Sequence, residues 1–383
     1  MAQHALLSPS AAHRWLHCTA APRLEEHEAD RGSSYAEEGT LAHAYCARLL
    51  KRELGAPTAA EDEEIALLES RYRTGEMDEC TEAYRTLVLG RWYAAREKTP
   101  DAKLLVETRL DFGKWVPDAF GTADAIIVSD GSIEVIDFKY GKGVRVSAVD
   151  NPQMMIYALG ALSLYSFDYG IERVRMTIVQ PRMDNLSEWE MTARELLRWA
   201  DGELRPKARE AFAGGGVQKP GEWCRFCKVR GKCRAMAETA QRAVHYDPRL
   251  MSPDEIAAVV LPLAATVKAW LTGVEEHTLA AALGGERFPG YKLVEGRSVR
   301  KITDPEAVMG ALSACSYAPE AYMKPPELRA ITELEKLIGK KRFGELCGAW
   351  IEKPKGKPAL VPETDKRPAM NPAADDFEGI MEK

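Results

Sequence analysis

The chain has 383 residues, 52 Lys and Arg against 58 Asp and Glu, and is 45% hydrophobic and 29% charged. This composition excludes disorder of the whole chain, and the length suffices for two or three domains. A formal net charge of −6 excludes an all-over basic coat but leaves room for a local basic strip that meets nucleic acid.

The N-terminus lacks a cationic lead, an apolar stretch and a small-residue cleavage site, so no secretion signal is expected and the protein is read as cytoplasmic. Its eight cysteines are then expected to be thiols or metal ligands, not disulfides. Ser8 and Pro9 read as the cap and first position of a short helix ending near Cys18. Helical spacing continues over 35–54 and 60–98, so residues 1–100 form a predicted helical part carrying Cys18 and His43. Short β-rich runs follow at 103–110, 123–128, 132–140 and 173–180, with helical stretches over 151–164 and 192–212. This order predicts an α/β core over 101–215, with a mixed, partly antiparallel central sheet flanked by helices.

A cysteine-rich segment over 216–245 comes next, then a mainly helical C-terminal domain over 246–352 that opens on a capping box at Ser252 and Glu255. Residues 353–383, with five prolines and scattered charge, are expected to be a flexible tail. The longest uncharged apolar stretch, 256–267, has 12 residues and contains Pro262. A membrane span needs roughly 20, so no membrane partner is expected.

Asp124 and Asp137 lie 13 positions apart on two predicted strands joined by a turn at Asp130 and Gly131. Antiparallel pairing would bring the ends bearing Asp124 and Lys139 together, and Asp137 and Lys139 share one strand face. Two carboxylates in so apolar a setting are costly unless a cation binds them, and Mg²⁺ is held by one or two carboxylates of this kind. Taken alone, the Asp137–Lys139 pair reads first as a surface ion pair. Gln153 and Tyr157, four apart on a predicted helix, share one face.

Cys224, Cys227 and Cys233 leave a four-thiolate site one ligand short, and Cys18 is the natural fourth; spacing does not separate zinc from iron–sulfur. Cys46, Cys80, Cys315 and Cys347 are expected to be buried thiols. Arg225, Lys228, Arg230, Lys232 and Arg234, with Trp223 and Phe226, either contact phosphates and stack bases or merely solvate a tight loop.

The ordered series Glu38-Gly39-Thr40 with His43, Gly121 with Asp124, Asp137 with Lys139, and Gln153 with Tyr157 resembles the RecB-like branch of the PD-(D/E)XK nuclease superfamily, over about residues 7–240. The cysteines resemble those of the iron–sulfur nucleases of the AddB type and of CRISPR adaptation. The resemblance implies a restriction-endonuclease-like core that binds Mg²⁺ or Mn²⁺ through Asp124 and Asp137, with His43, the Phe138 carbonyl and Glu107 as further ligands. It implies that Lys139 positions water or stabilises the transition state, and that Gln153 and Tyr157 hold the scissile strand or orient Lys139. It also implies a [4Fe-4S] cluster on Cys18, Cys224, Cys227 and Cys233, with zinc as the alternative.

The implied activity is metal-dependent DNA hydrolysis, as an exonuclease. The whole chain also resembles an uncharacterised phage-encoded branch, which implies phage recombination or replication in the bacterial host cytoplasm, with a single-strand-annealing or single-strand-binding protein as partner. The competing expectation is a non-catalytic DNA-binding or scaffold protein with a structural metal or cluster. Decayed members would be expected to lose an acid or the lysine, whereas Asp124, Asp137 and Lys139 are all present.

Overall fold

The structure is a computed structural model that describes residues 5–28, 32, 34–296, 300–324, 327–328, 331–352, 358–362 and 368–369. The chain divides into two compact units, Met1–Leu271 and Thr272–Lys383. The division falls later than the expected boundary near 245, because the long apolar helix opening at Pro253 continues to Leu283.

In the first unit a 3-10 turn, Pro9–Ala11, leads into α1 (Ala12–His17), with Cys18 at its C-cap, and then α2 (Ala21–Glu25). Three helices follow: α3 (Ser34–Glu53), α4 (Ala59–Tyr72) and α5 (Gly75–Lys98). Strands β1 (Lys103–Asp111), β2 (Phe120–Ser129) and β3 (Ser132–Phe138) form an antiparallel meander. Helix α6 (Pro152–Tyr169) carries the chain to β4 (Arg173–Gln180), which is parallel to β3, and β5 (Asn185–Thr192) returns antiparallel to β4. The sheet order β1-β2-β3-β4-β5 is mixed and flanked by helices, as the α/β reading expects.

Both faces of the sheet are covered, which is why β3 is apolar almost throughout. Ile126, Val128, Ile133, Val135, Met176 and Ile178 pack toward α6 and α1, together with Trp15, Met155 and Leu159. Ile127, Ile136 and Phe138 pack toward α3 and α5 with Leu41, Tyr45, Tyr84 and Val88. Helix α6 lies unusually close to the β1–β2 end. A Cβ at Gly121 would stand 3.1 Å from the Tyr157 ring, and one at Gly160 would stand 2.7 Å from the Phe112 ring.

Strand β5 was not anticipated: its residues alternate between half-buried and exposed, with Glu188 and Glu190 on the outside, as on a polar edge strand. The stretch expected as one helix over 192–212 is α7 (Ala193–Trp199), a π-turn (Ala200–Leu204) and α8 (Arg205–Ala213). A second π-turn, Ile256–Val260, precedes Leu261–Leu283. Each π-turn ends just before a proline, Pro206 or Pro262, and the widened turn accommodates a residue that has no N–H to give the ladder. Pro262 therefore does not break its helix. Pro253–Leu283 spans 31 residues and is long and apolar enough, by length and composition alone, to cross a membrane, which revises the expectation that no such segment exists.

Cys224–Cys233 forms two short 3-10 turns followed by α9 (Arg234–Ala243). In the second unit Val308, Leu312, Tyr322, Leu334, Phe343 and Cys347 form a small core between the helices Pro305–Ala314, Ile331–Ile338 and Lys340–Cys347. Pro358–Pro362, expected to belong to a flexible tail, is a strand paired antiparallel with Tyr291–Glu295. Residues 353–357, 363–367 and 370–383 of that tail lie outside the described residues.

The α6 contact yields a test. Gly160→Ala is expected to destabilise the first unit by about 1–3 kcal/mol through overpacking against Phe112 and Leu110, read by urea unfolding. A change within about 0.5 kcal/mol would contradict this packing.

Candidate metal centre

The site is assembled where the β1–β2 ladder is interrupted. Val106 pairs with Ala125 and Thr108 with Ala123, while the intervening residues Glu107 and Asp124 are unpaired. Glu107 has φ of 46°, a left-handed conformation that a side-chain-bearing residue rarely adopts. Side-chain parity switches at the same place: Ala123 and Ile126 face the α6 core, whereas Ala125 and Ile127 face α3 and α5. The backbone irregularity thus sits at the two carboxylates.

Asp124 is held from two directions. The backbone N–H of Phe138 donates to its Oδ2 at 2.7 Å, and His43 Nδ1, from the middle of α3, lies 3.2 Å from its Oδ1. The His43 ring meets the Phe138 ring edge-on with centroids 5.5 Å apart. Ligand atoms of His43, Glu107 and Asp124 all lie within 4.8 Å of one another, the one such trio of His, Cys, Asp or Glu residues among those described. Two hard carboxylate oxygens and an imidazole nitrogen suit a divalent cation, and the imidazole tilts the set toward Mn²⁺ over Mg²⁺.

Asp137, expected beside Asp124 as a ligand, lies outside this trio and meets Gln153 and Lys139. Gln153 Nε2 donates to its Oδ1 at 3.2 Å, and Lys139 Nζ lies 2.8 Å from its Oδ2. That ion pair leaves Oδ2 buried without a well-directed hydrogen bond. Lys139 also donates to Gln153 Oε1 at 3.3 Å, so one amide bridges the acid and the base. The Asn151 side chain caps the Gln153 and Met154 N–H groups and fixes that amide at the first turn of α6. One turn further, Tyr157 is buried and packs against Phe112.

Burial and neighbouring charge set the proton positions. Burial alone would lower His43, but the Asp124 carboxylate raises it to about 9. Burial opposes ionisation of Asp124 too, yet the imidazolium and its hydrogen bond hold its carboxyl below the usual range. Burial, then the charge of Asp124, pushes Glu107 up to about 7. Burial raises Asp137, against the pull of Lys139. Lys139 is raised, because Asp137 and Asp124 outweigh its burial, so it is an ammonium and not the depressed base that a proton-accepting role requires. Burial, then Asp137, raises the Tyr157 phenol.

The surrounding residues include some that motif reading did not single out. Tyr84, buried on α5, donates to the Ile136 carbonyl at 3.1 Å and buttresses β3 just before Asp137. Cys46, one turn after His43 on α3, is a buried thiol raised by burial and by the nearby Asp124 and Glu107. Arg182 reaches Glu38 at 3.2 Å and Glu76 at 3.0 Å while lying over the Tyr140 ring, and so ties the first turn of α3 to the strands. Cys46 was expected to be a buried thiol, but ordinary amphipathic spacing carried no signal that any of these three adjoins the site.

At the other end of the unit, Cys18 and the cysteine segment meet through a hydrogen-bonded clasp. Glu25 takes Arg14 Nε at 2.9 Å and the Lys228 N–H at 2.6 Å, while Val217 N–H donates to Thr19 Oγ1 at 2.9 Å. Burial raises the Cys224 thiol, and neighbouring Cys18 and Cys233 raise it further. Burial pushes Cys227 up to about 12. All four are free thiols, and among the described residues no three of them bring their sulfurs within 4.8 Å of one another. Of the basic residues here, Lys228, Arg230, Lys232 and Arg234 bond to Glu28, the Arg225 carbonyl, Glu28 and Glu238 respectively. Each of these four cations thus has a partner within the unit. Trp223 is stacked on His17 at 4.3 Å, and Arg225 lies over Phe226.

The chain belongs to the DUF2800 family, described as a protein of unknown function, whose sequence profile matches residues 4–368. Among solved structures it is similar to one titled "Crystal structure of SSO0001", at 18% identity and a TM-score of 0.22, over 57% of this chain and 95% of that one. A likeness at that score carries no argument about fold or function.

The raised groups predict a pH profile. A group whose folded pKa exceeds its unfolded one stabilises the fold below the unfolded value and loses that contribution as pH rises through the folded value. Without divalent ions, His43 is expected to contribute below pH 6.5 and lose its contribution by about 9. Glu107 is expected to do so from 4.5 to about 7. Urea unfolding in chelator should therefore show His43→Gln flattening the upper window and Glu107→Gln the lower; slopes identical to wild type would contradict the assignment.

Proposed function

We propose that this protein is a divalent-metal-dependent deoxyribonuclease of the PD-(D/E)XK, RecB-like type. The observation that carries the reading is the convergence of His43, Glu107 and Asp124, from α3, β1 and β2, beside a fixed Asp137–Lys139–Gln153 set from β3, its end and α6. Buried acids so close together are expensive unless a cation shares them, and that expense recurs on three elements at one point.

His43, Glu107 and Asp124 would hold the ion, with Asp137 and the Phe138 carbonyl next to them. When bound, Mg²⁺ or Mn²⁺ supplies Lewis-acid neutralisation of phosphate charge and lowers the pKa of water. Lys139 places a permanent positive charge beside the same point, where it offsets the negative charge that builds on the phosphorus oxygens during hydrolysis. Asp137 and Gln153 hold the ammonium in one position, which limits the reorganisation needed when a phosphodiester arrives. Tyr157, one turn further on the same helix, would orient that set or hold the scissile strand. The Lys139 side chain is 28% exposed and that of Asp137 4%, so the ammonium is the group that meets the substrate.

Cys18, Cys224, Cys227 and Cys233 are proposed to hold a [4Fe-4S] cluster. Four thiolates suit either group, and the preference for a cluster over zinc rests on the resemblance of the cysteines to those of the iron–sulfur nucleases. Action as an exonuclease in phage recombination or replication, in a bacterial cytoplasm and beside a single-strand-annealing or single-strand-binding protein, rests on resemblance alone.

Asp137→Ala and Lys139→Ala are each expected to cut hydrolysis of linear DNA in Mg²⁺ or Mn²⁺ by at least about a hundredfold, with circular dichroism unchanged. Retained cleavage would reject the assignment, and wild type inert with every divalent ion would favour the non-catalytic DNA-binding reading. Anaerobically purified protein is expected to contain iron and absorb in the visible range, with both lost in Cys227→Ala. Zinc in place of iron would reject the cluster.

A further inference from the structure

Register and burial single out a second feature on the same hairpin. Arg109 pairs with Thr122, and Asp111 with Phe120. Leu110 and Ala123 point into the α6 core, so Arg109, Phe120 and Thr122 face the opposite side, toward α3. Asp124, bonded to His43 of α3, faces that side as well. The row Phe120, Thr122, Asp124 therefore runs along one face of β2 toward the candidate metal centre, with Phe120 roughly 13 Å from Asp124 along the strand.

The Arg109 guanidinium lies 3.9 Å from the centroid of the Phe120 ring. Arg109 is exposed and Phe120 half-buried, and β1 is the edge of the sheet, with no strand outside it. Among the described residues Arg109 makes no ion pair, unlike Arg91, Arg175 and Arg182 of the same unit. The nearby Asp111 carboxylate takes the Gly113 N–H at 2.7 Å. An unneutralised planar cation on an accessible aromatic ring combines a phosphate ligand with a surface on which a base can stack.

We propose that Arg109 and Phe120 form a stacking platform that seats an unpaired base of single-stranded DNA and leads its backbone past Thr122 to the centre. The inference rests on the nuclease reading and adds the form of the substrate: a strand with free base faces, which a duplex does not offer. Thr122, exposed between platform and centre, provides a hydroxyl at the height of the backbone.

The test measures binding of a labelled single-stranded oligonucleotide and its duplex by fluorescence anisotropy, in the Asp137→Ala background so that nothing is cut. Phe120→Ala is expected to weaken single-strand binding on the order of tenfold, and Phe120→Trp to restore it. Arg109→Gln, at an exposed position that leaves the fold intact, is expected to weaken it and to lessen its salt dependence, with Arg194→Gln on α7 as an unaffected control. Duplex binding is expected to change little. Single-strand binding unchanged in both Arg109→Gln and Phe120→Ala, or duplex bound as tightly as single strand, overturns the platform. Cleavage by the otherwise unmodified protein, measured alongside, shows whether the nuclease reading survives that failure, and absence of both cleavage and DNA binding ends both proposals.

Discussion

Glu107 and Asp124, both half-buried, face each other across the gap in the β1–β2 ladder, and the first unit is arranged around the need to offset their charge. Asp124 takes a backbone N–H from β3 and an imidazole from α3, so it joins three elements that are far apart in sequence. Glu107 reaches the same point only by adopting a left-handed backbone, a conformation that typically costs of order 1–3 kcal/mol and persists where the surroundings enforce it. Strain, burial and like charge thus coincide on two residues. Each alone would be removed readily by substitution, and their coincidence is what the proposed cation between His43, Glu107 and Asp124 would account for.

The rest of the unit holds that point rigid. Helix α6 comes close to the sheet because Gly121 and Gly160 have no side chain there, and its first turn is fixed by the Asn151 cap. The Gln153 amide consequently arrives at hydrogen-bond distance from Asp137 and Lys139 together. On the other face, Tyr84 supports β3 from α5 and Arg182 secures the first turn of α3. Both layers that enclose the sheet converge on the end of β3, where apolar packing gives way to charge.

Much of this arrangement could be read from residues alone. The apolar runs that became β1 to β4 announce buried strands, and the order of His43, Asp124, Asp137, Lys139 and Gln153 marked the residues that do come together. Which acid belongs to the trio was not legible, because strict alternation places Glu107 by parity and only the ladder gap turns it toward His43. Strand β5 escaped notice because an edge strand with charge on one face lacks an apolar run, and the proline-preceding π-turns did because proline inside a helical pattern ordinarily signals an end. Spacing linked Cys224, Cys227 and Cys233 to one another, whereas the Arg14–Glu25–Lys228 clasp joins residues about 200 positions apart that no local pattern connects.

That clasp bears on how the chain comes into being. Trp15 and Leu16 of α1 are buried against residues from strands and helices that are synthesised much later, and Glu25 awaits a backbone N–H from residue 228. During synthesis α1 and α2 lack these partners until the cysteine segment has left the exit tunnel, so two early helices of the unit are locked in place late. The clasp therefore couples the N-terminal helices of the first unit to a segment that follows them by about 200 residues.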